Sequence, residues 1–399
     1  MSLARLGRRA LLPATLGAVV TAVALVPSAL PAPRSPASPP RAGAAAEVGP
    51  ATGPVSTLPV ARVEAIEVVV ANEIARLGIP GLSLAIGHEG NLVFANGYGF
   101  ADIENFVSAR ADTVYRLASL SKTITAVVTL QLAEKGQLDL DVSVRRHCPA
   151  FPEKRWPVTP RQLLGHQAGI RHYREGERPM TRRFETLEEA LDLFKNDPLE
   201  FEPDTGILYS TYGYTLLGCV IEGATGRPFA EVVREAVFLP AGMTRSQPDD
   251  VRRLIPNRAR GYTRDGRGVL VNSDLADTSY KVPGGGLSGT APDLARFGLA
   301  LVSGALLEPE SWEVMRTLQR TRGGQARGHG LGLVVEEHDG TLEVWKDGAQ
   351  AGVSTLLYLG AGEGPVVAVL ANHEGVAVPL LSLARRVAQL VVADPGIPR

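Results

Sequence analysis

The sequence predicts an α+β fold, and three observations lead to it. Two apolar, β-favouring runs at 82–88 and 92–98 flank Glu89-Gly90-Asn91 and read as a hairpin. Four more such runs, at 334–337, 341–346, 353–359 and 366–371, crowd the C-terminal end. Between them lie segments whose apolar residues recur at helical spacing. Strands from both chain ends, with helices between, predict an antiparallel sheet flanked by helices plus a helical subdomain.

In order, residues 60–77 place apolar side chains at helical spacing and stop at Gly78, a residue suited to a helix end. The hairpin follows. Helices are then expected at about 119–135, 188–195, 212–224, 229–237, 293–303 and 309–318. The run 341–346 ends at Lys346, and a tight glycine-bearing segment, Asp347 to Gly352, reads as a bend into the next strand. A last helix is expected over 379–391.

The N-terminus reads differently. Arg5, Arg8 and Arg9 precede an almost wholly apolar stretch at 10–26, and small residues with prolines follow. That is the pattern of an export signal, expected over 1–30, and it implies an extracytoplasmic protein: periplasmic, cell-wall or secreted. Arg8-Arg9 before Leu11-Leu12 loosely resembles a twin-arginine signal. An uncleaved anchor giving loose membrane association is the alternative, and Pro13 disfavours it. Residues 31–59, rich in proline, alanine, glycine and serine, read as a disordered linker. The folded domain is then 60–395, with a sheet subdomain of 60–118 and 290–395 and a helical subdomain of 119–289.

Composition excludes several chemistries. The 41 Lys+Arg against 42 Asp+Glu leave a net charge of -1, and no long charge run argues for nucleic acid. The 7 histidines contain no H-x-H or H-x-x-x-H, so neither a metal nor another cofactor is expected. A G-x-S-x-G elbow is missing too. Basic residues between Arg171 and Arg183 read as a solvated loop rather than an active-site lid. Cys148 and Cys219, the only cysteines, read as buried free thiols, since nothing in the sequence brings them together.

Against this background Ser119-Leu120-Ser121-Lys122 stands out, at the start of what reads as an amphipathic helix. Residues three apart share a helix face, so the amine can lie beside the hydroxyl and take its proton. Lysine is scarce here: Lys122, Lys135, Lys154, Lys195, Lys281 and Lys346 are the only six among the basic residues. Where arginine serves as the generic cation, a lysine marks a place that needs an amine able to lose its proton. Two further motifs follow: Tyr209-Ser210-Thr211 and Lys346-Asp347-Gly348.

The ordered set S-x-x-K, Y-S-T and K-D-G resembles the serine β-lactamase and penicillin-binding-protein superfamily, in its class C lactamase and esterase branch. Leu163-Leu-Gly-His166, the glycine-rich Pro283 to Phe297 and Gly330-Leu-Gly-Leu333 extend the likeness. It is greatest to the mitochondrial serine β-lactamase-like proteins and their bacterial relatives. The resemblance implies a β-lactamase/transpeptidase-like α/β sandwich with a sheet of about five strands and a reaction cleft beside it. It implies Ser119 as nucleophile, with Lys122 and Tyr209 as bases. Lys346, Asp347, Gly348, Ala349 and Thr211 would contact substrate, with the Ala349 and Ser119 amides as oxyanion donors. His166 would support the cleft.

Three departures weaken a case for antibiotic hydrolysis. Asp347 replaces the usual threonine or serine, Thr211 the usual asparagine, and Gln167-Ala168 a common threonine-serine pair. The leading expectation is an exported serine hydrolase acting on an amide, peptide or ester bond of a small molecule or peptide. A true β-lactamase and a filament-forming scaffold are the alternatives.

Overall fold

The computed structural model describes residues 55–360 and 364–393. The expected export signal and most of the linker lie outside the described residues. The linker expectation ran to residue 59, but Val55–Ser56 already pairs with Ala95 and Phe94 at the sheet edge.

Six strands make up most of the sheet: β1 (Gly81–His88), β2 (Asn91–Asp102), β3 (Val334–His338), β4 (Thr341–Gln350), β5 (Val353–Tyr358) and β6 (Val366–Ala371). They run antiparallel in the order β2-β1-β6-β5-β4-β3. Two-residue strands on β2 bring the total to eight, against about five expected. Two of the hairpins close with two-residue turns, Glu89-Gly90 and Asp339-Gly340, with φ positive at both residues. That geometry matches strand twist, and glycine adopts it without penalty.

The central strands β5 and β6 are buried along their whole length, so helices must cover both faces. Helices α1 (Val60–Leu77) and α5 (Ala377–Val392) cover one: Ile66, Val70, Leu380 and Val387 meet Leu84, Ile86, Val367 and Val369. The intervening residues Ala85, Ala368 and Leu370 face the other core with Leu294 and Phe297 of α4 (Ala291–Val302). Strict alternation thus sorts one strand between two cores.

The helix opened by the Ser119 tetrad, α2 (Leu120–Glu134), is not amphipathic. Every residue from Leu120 to Leu132 is buried. Its polar side chains are tolerated because Thr123, Thr125 and Thr129 donate to the carbonyls of Gly332, Pro283 and Thr125. Helix α3 (Thr211–Thr225) packs nearby, and its Cys219 is bonded to Cys148. The two thiols expected to be free are a disulfide, brought together by tertiary packing across 71 residues.

Candidate active site

Ser119 sits where the chain turns sharply into α2. Ala118 before it takes φ 49, a left-handed conformation that costs a non-glycine residue about 1–3 kcal/mol. The turn puts Ser119 on the wall of a cleft of about 360 Å³, also lined by Tyr209, Thr211, Lys346, Asp347 and Ala349. All three motifs therefore meet, although Ser119 and Lys346 lie 227 positions apart in the chain.

The Ser119 hydroxyl lies 2.8 Å from the Tyr209 hydroxyl and 3.3 Å from Lys122 Nζ. The Lys122 ammonium is completely buried and has two other partners, the Gly284 carbonyl at 2.5 Å and Thr211 Oγ1 at 3.1 Å. Thr211, expected to contact substrate, thus spends its hydroxyl oxygen on positioning Lys122. Its place on the cleft wall is unchanged.

Electrostatics follow from this crowding. Burial, with Lys346 nearby, pulls the Lys122 amine below its ordinary value. Burial by itself would push the Tyr209 phenol up, but the Lys122 and Lys346 ammonium groups and its hydrogen bonds outweigh that, and it lies below the usual phenol value. Lys346 is also buried, yet Tyr209 and Asp347 hold it above the ordinary lysine value. Lys346 Nζ is 5.7 Å from the Tyr209 ring centre, and Lys122 Nζ is 4.8 Å from it. A phenol lowered by two neighbouring amines, with its oxygen 2.8 Å from a serine hydroxyl, is arranged to exchange a proton with it.

The third motif was expected to end its strand at Lys346. Instead β4 continues through Lys346, Asp347, Gly348 and Ala349 to Gln350. Lys346 Nζ binds Asp347 Oδ1 at 2.7 Å and the Asp347 carbonyl at 2.8 Å. Burial raises the Asp347 carboxyl, but Lys346 more than reverses this and keeps it ionised. The carboxylate and the amine that was to receive substrate are therefore bound to each other.

Gly348 is required by close approach. A Cβ there would lie 2.8 Å from the Leu117 carbonyl and 2.9 Å from the Ser119 amide nitrogen. Strand β4 rests directly on the nucleophile turn. Gln350 pairs with Val353 around a two-residue turn, so Ala349 falls at a non-hydrogen-bonded pair and its N–H points away from β5. The Ser119 amide has no hydrogen-bond acceptor among the described residues. Two adjacent backbone donors can serve a developing oxyanion, each worth about 3 kcal/mol of barrier.

His166 packs behind Tyr209. Its Nδ1 accepts from the Ser210 amide at 3.2 Å, its ring lies against Tyr209 with centroids 4.4 Å apart, and burial holds it neutral. Sequence reasoning missed His172, Lys281 and His329, which also line the cleft. None carries a spacing signal, although His172 lies in the segment first read as a solvated loop. That segment is in part cleft wall: Arg171 is buried, bridging Glu177 at 2.7 Å and Asp197 at 2.5 Å, while Tyr173 and Arg178 face the cavity.

Comparison with known proteins agrees with this fold. The family model described as Beta-lactamase matches residues 66–392. The mitochondrial serine beta-lactamase-like protein LACTB of Homo sapiens is 32% identical over 297 residues, covering 57% of this chain and 54% of its own length. Penicillin-binding protein 4* of Bacillus subtilis (strain 168) is 30% identical over 303 residues, 71% of this chain and 66% of its own. The chain thus spans roughly half to two thirds of the curated relatives it matches. Among solved structures, the octameric penicillin-binding protein homologue from Pyrococcus abyssi superposes with a TM-score of 0.70 at 25% identity, over 83% of this chain and 77% of that one. With its three motifs assembled on this fold, the chain belongs to the Beta-lactamase family, in the superfamily that β-lactamases share with penicillin-binding proteins.

Proposed function

We propose that this protein is an exported serine hydrolase that cleaves an amide, peptide or ester bond through an acyl-Ser119 intermediate. One observation carries the reading: the Ser119 hydroxyl is held between Tyr209 and Lys122 at the wall of a solvent-reachable cleft. In acylation the Ser119 oxygen bonds the substrate carbonyl carbon, and its proton passes to the Tyr209–Lys122 pair, which titrates as one coupled unit. The oxyanion is met by the Ser119 and Ala349 amides. The pair then protonates the leaving nitrogen or oxygen, and the carbonyl re-forms as that bond breaks. In deacylation the same pair takes a proton from water as its oxygen bonds the acyl carbon, then gives that proton to the Ser119 oxygen as the acyl–oxygen bond breaks, releasing the acid and restoring the hydroxyl.

Lys346 supplies positive charge beside the Tyr209 hydroxyl, while Asp347 occupies the side of Lys346 that a lactam carboxylate would need. Little penicillin turnover is therefore expected, with any acyl-enzyme that forms released slowly. Export is supported by the N-terminal charged and apolar pattern and by the Cys148–Cys219 disulfide, a bond typical of oxidising compartments.

Intact-mass labelling with a fluorophosphonate and with penicillin tests the reading. One adduct is expected, on the peptide containing Ser119 and absent in Ser119→Ala, and Tyr209→Phe is expected to slow its formation by about 10²–10⁴-fold. The penicillin adduct should persist. Labelling at Ser121, whose hydroxyl is buried and accepts from the Leu287 amide, would refute the assignment. Rapid penicillin turnover would refute the claim of slow release.

A further inference from the structure

The mechanism leaves one buried amine unused. Lys281 ends a short turn, Ser279–Lys281, just before the Val282–Gly285 turn whose Gly284 carbonyl receives Lys122. It is 5% exposed and lines the cleft. Among the described residues its Nζ has no hydrogen-bond or ion-pair partner. It has only the rings of Tyr173 and Tyr280, with centroids at 5.7 and 5.3 Å. Arg178, on the same wall, makes no ion pair among the described residues either.

The surrounding charge is lopsided. Lys122, Arg178 and Arg116 all repel the Lys281 ammonium, and Asp249 attracts it. Asp249 is already held by Arg116 at 2.7 Å. Across the cleft, Asp347 is held by Lys346. Burial, together with the neighbouring cations, lowers Lys281 to about 7. A desolvated amine without a counter-ion is charged only at a cost, and the exposed guanidinium of Arg178 on the same wall adds to the positive field around it. An incoming anion would relieve both.

We propose that Lys281 and Arg178 form an anion-accepting subsite of the cleft, selecting substrates that carry a carboxylate near the bond attacked by Ser119. This rests on the acyl-serine reading and names its substrate class. A guanidinium offers the paired donors that fit a carboxylate, and the amine adds a point charge. Binding of the carboxylate favours the charged form of Lys281, so the complex takes up a proton when it forms at neutral or mildly alkaline pH.

The test compares 4-nitrophenyl butyrate with mono-4-nitrophenyl succinate, which differ by a methyl against a carboxylate. The unmodified enzyme should favour the succinate ester in kcat/KM. That preference should fall about tenfold in Lys281→Met and in Arg178→Gln, mainly through KM. Because the preference is a ratio, general loss of folded enzyme cancels. A ratio unchanged in both variants overturns the subsite.

A second measurement separates this from failure of the hydrolase reading. Calorimetric binding of monomethyl succinate to Ser119→Ala needs no turnover. Its affinity should fall as pH rises from 6 to 8.5 and Lys281 loses its charge, while His172, held at about 4, stays neutral. The same titration on Ser119→Ala carrying Lys281→Met should be weaker and flat with pH. Absence of binding, or equal pH dependence in both proteins, overturns the proposal.

Discussion

Gly348 shows how little room the nucleophile has. Its missing side chain lets strand β4 lie against the backbone of Leu117 and Ser119, and the atoms that a Cβ would strike include fixed main-chain groups. Gly348→Ala should therefore displace the Ala349 donor and the Ser119 turn from each other. Since a misplacement of about 1 Å can cost roughly a hundredfold in rate, a loss of about 10²-fold in kcat/KM is expected. Thermal unfolding should show only a modest loss of stability. A variant of near-normal activity would show that the two segments separate freely and that the oxyanion assignment is wrong. At the same scale, Asp347 illustrates a limit of motif reading. The sequence identifies a carboxylate where a hydroxyl is usual, but only coordinates show it clasping Lys346.

Among the elements, α3 carries the most constraint. Thr211 at its start orients Lys122, Gly218 lies against Pro283, and Gly223 abuts the His147 carbonyl so closely that no Cβ fits. The Cys148–Cys219 bond ties this helix to the segment it crosses. Replacing both cysteines with alanine should cost about 2–5 kcal/mol in urea unfolding. Adding reductant should lower the unmodified protein by a similar amount and leave the variant unmoved. Two alkylatable thiols in the native, oxidised protein would contradict the pairing. The element scale is also where legibility divides. Long helices and the hairpins were readable, because hydrophobic period and glycine turns act within a few residues. Strands of two or three residues, such as Tyr115–Arg116 and Leu287–Gly289, were not, because so short a run shows no alternation. The buried α2 passed for amphipathic because its threonines are polar by type but satisfied by distant carbonyls. Ser119, Lys122, Tyr209 and Lys346 were readable as motifs. Lys281, His172 and the cysteine pair depend on contacts between remote segments, for which the local sequence carries no mark.

For the molecule as a whole, one buried base links stability to pH. Lys281 is lowered from 10.5 to about 7 by burial and by the cations around it. Between those values the native protein holds it neutral while the unfolded chain keeps it protonated, so the unfolded state binds more protons. Stability from this group therefore rises with pH through that window, by up to roughly 1.4 kcal/mol per pH unit. Lys281→Met removes the linkage. Its stability advantage, measured by urea unfolding without ligand, should be largest near pH 7 and shrink steadily toward pH 9. A difference that does not change with pH would show that Lys281 is not desolvated in solution. The sheet has a consequence of its own. Its central strand is β6, which pairs with β1 on one side, where Gly87 meets Val366, and with β5 on the other. A nascent chain has finished its first hairpin, and most of its helices, long before the ribosome supplies the strand that completes the centre. A premature stop anywhere ahead of β6 thus leaves β1 with a bare, apolar edge, and such fragments should clump or be degraded rather than persist as half-working enzymes.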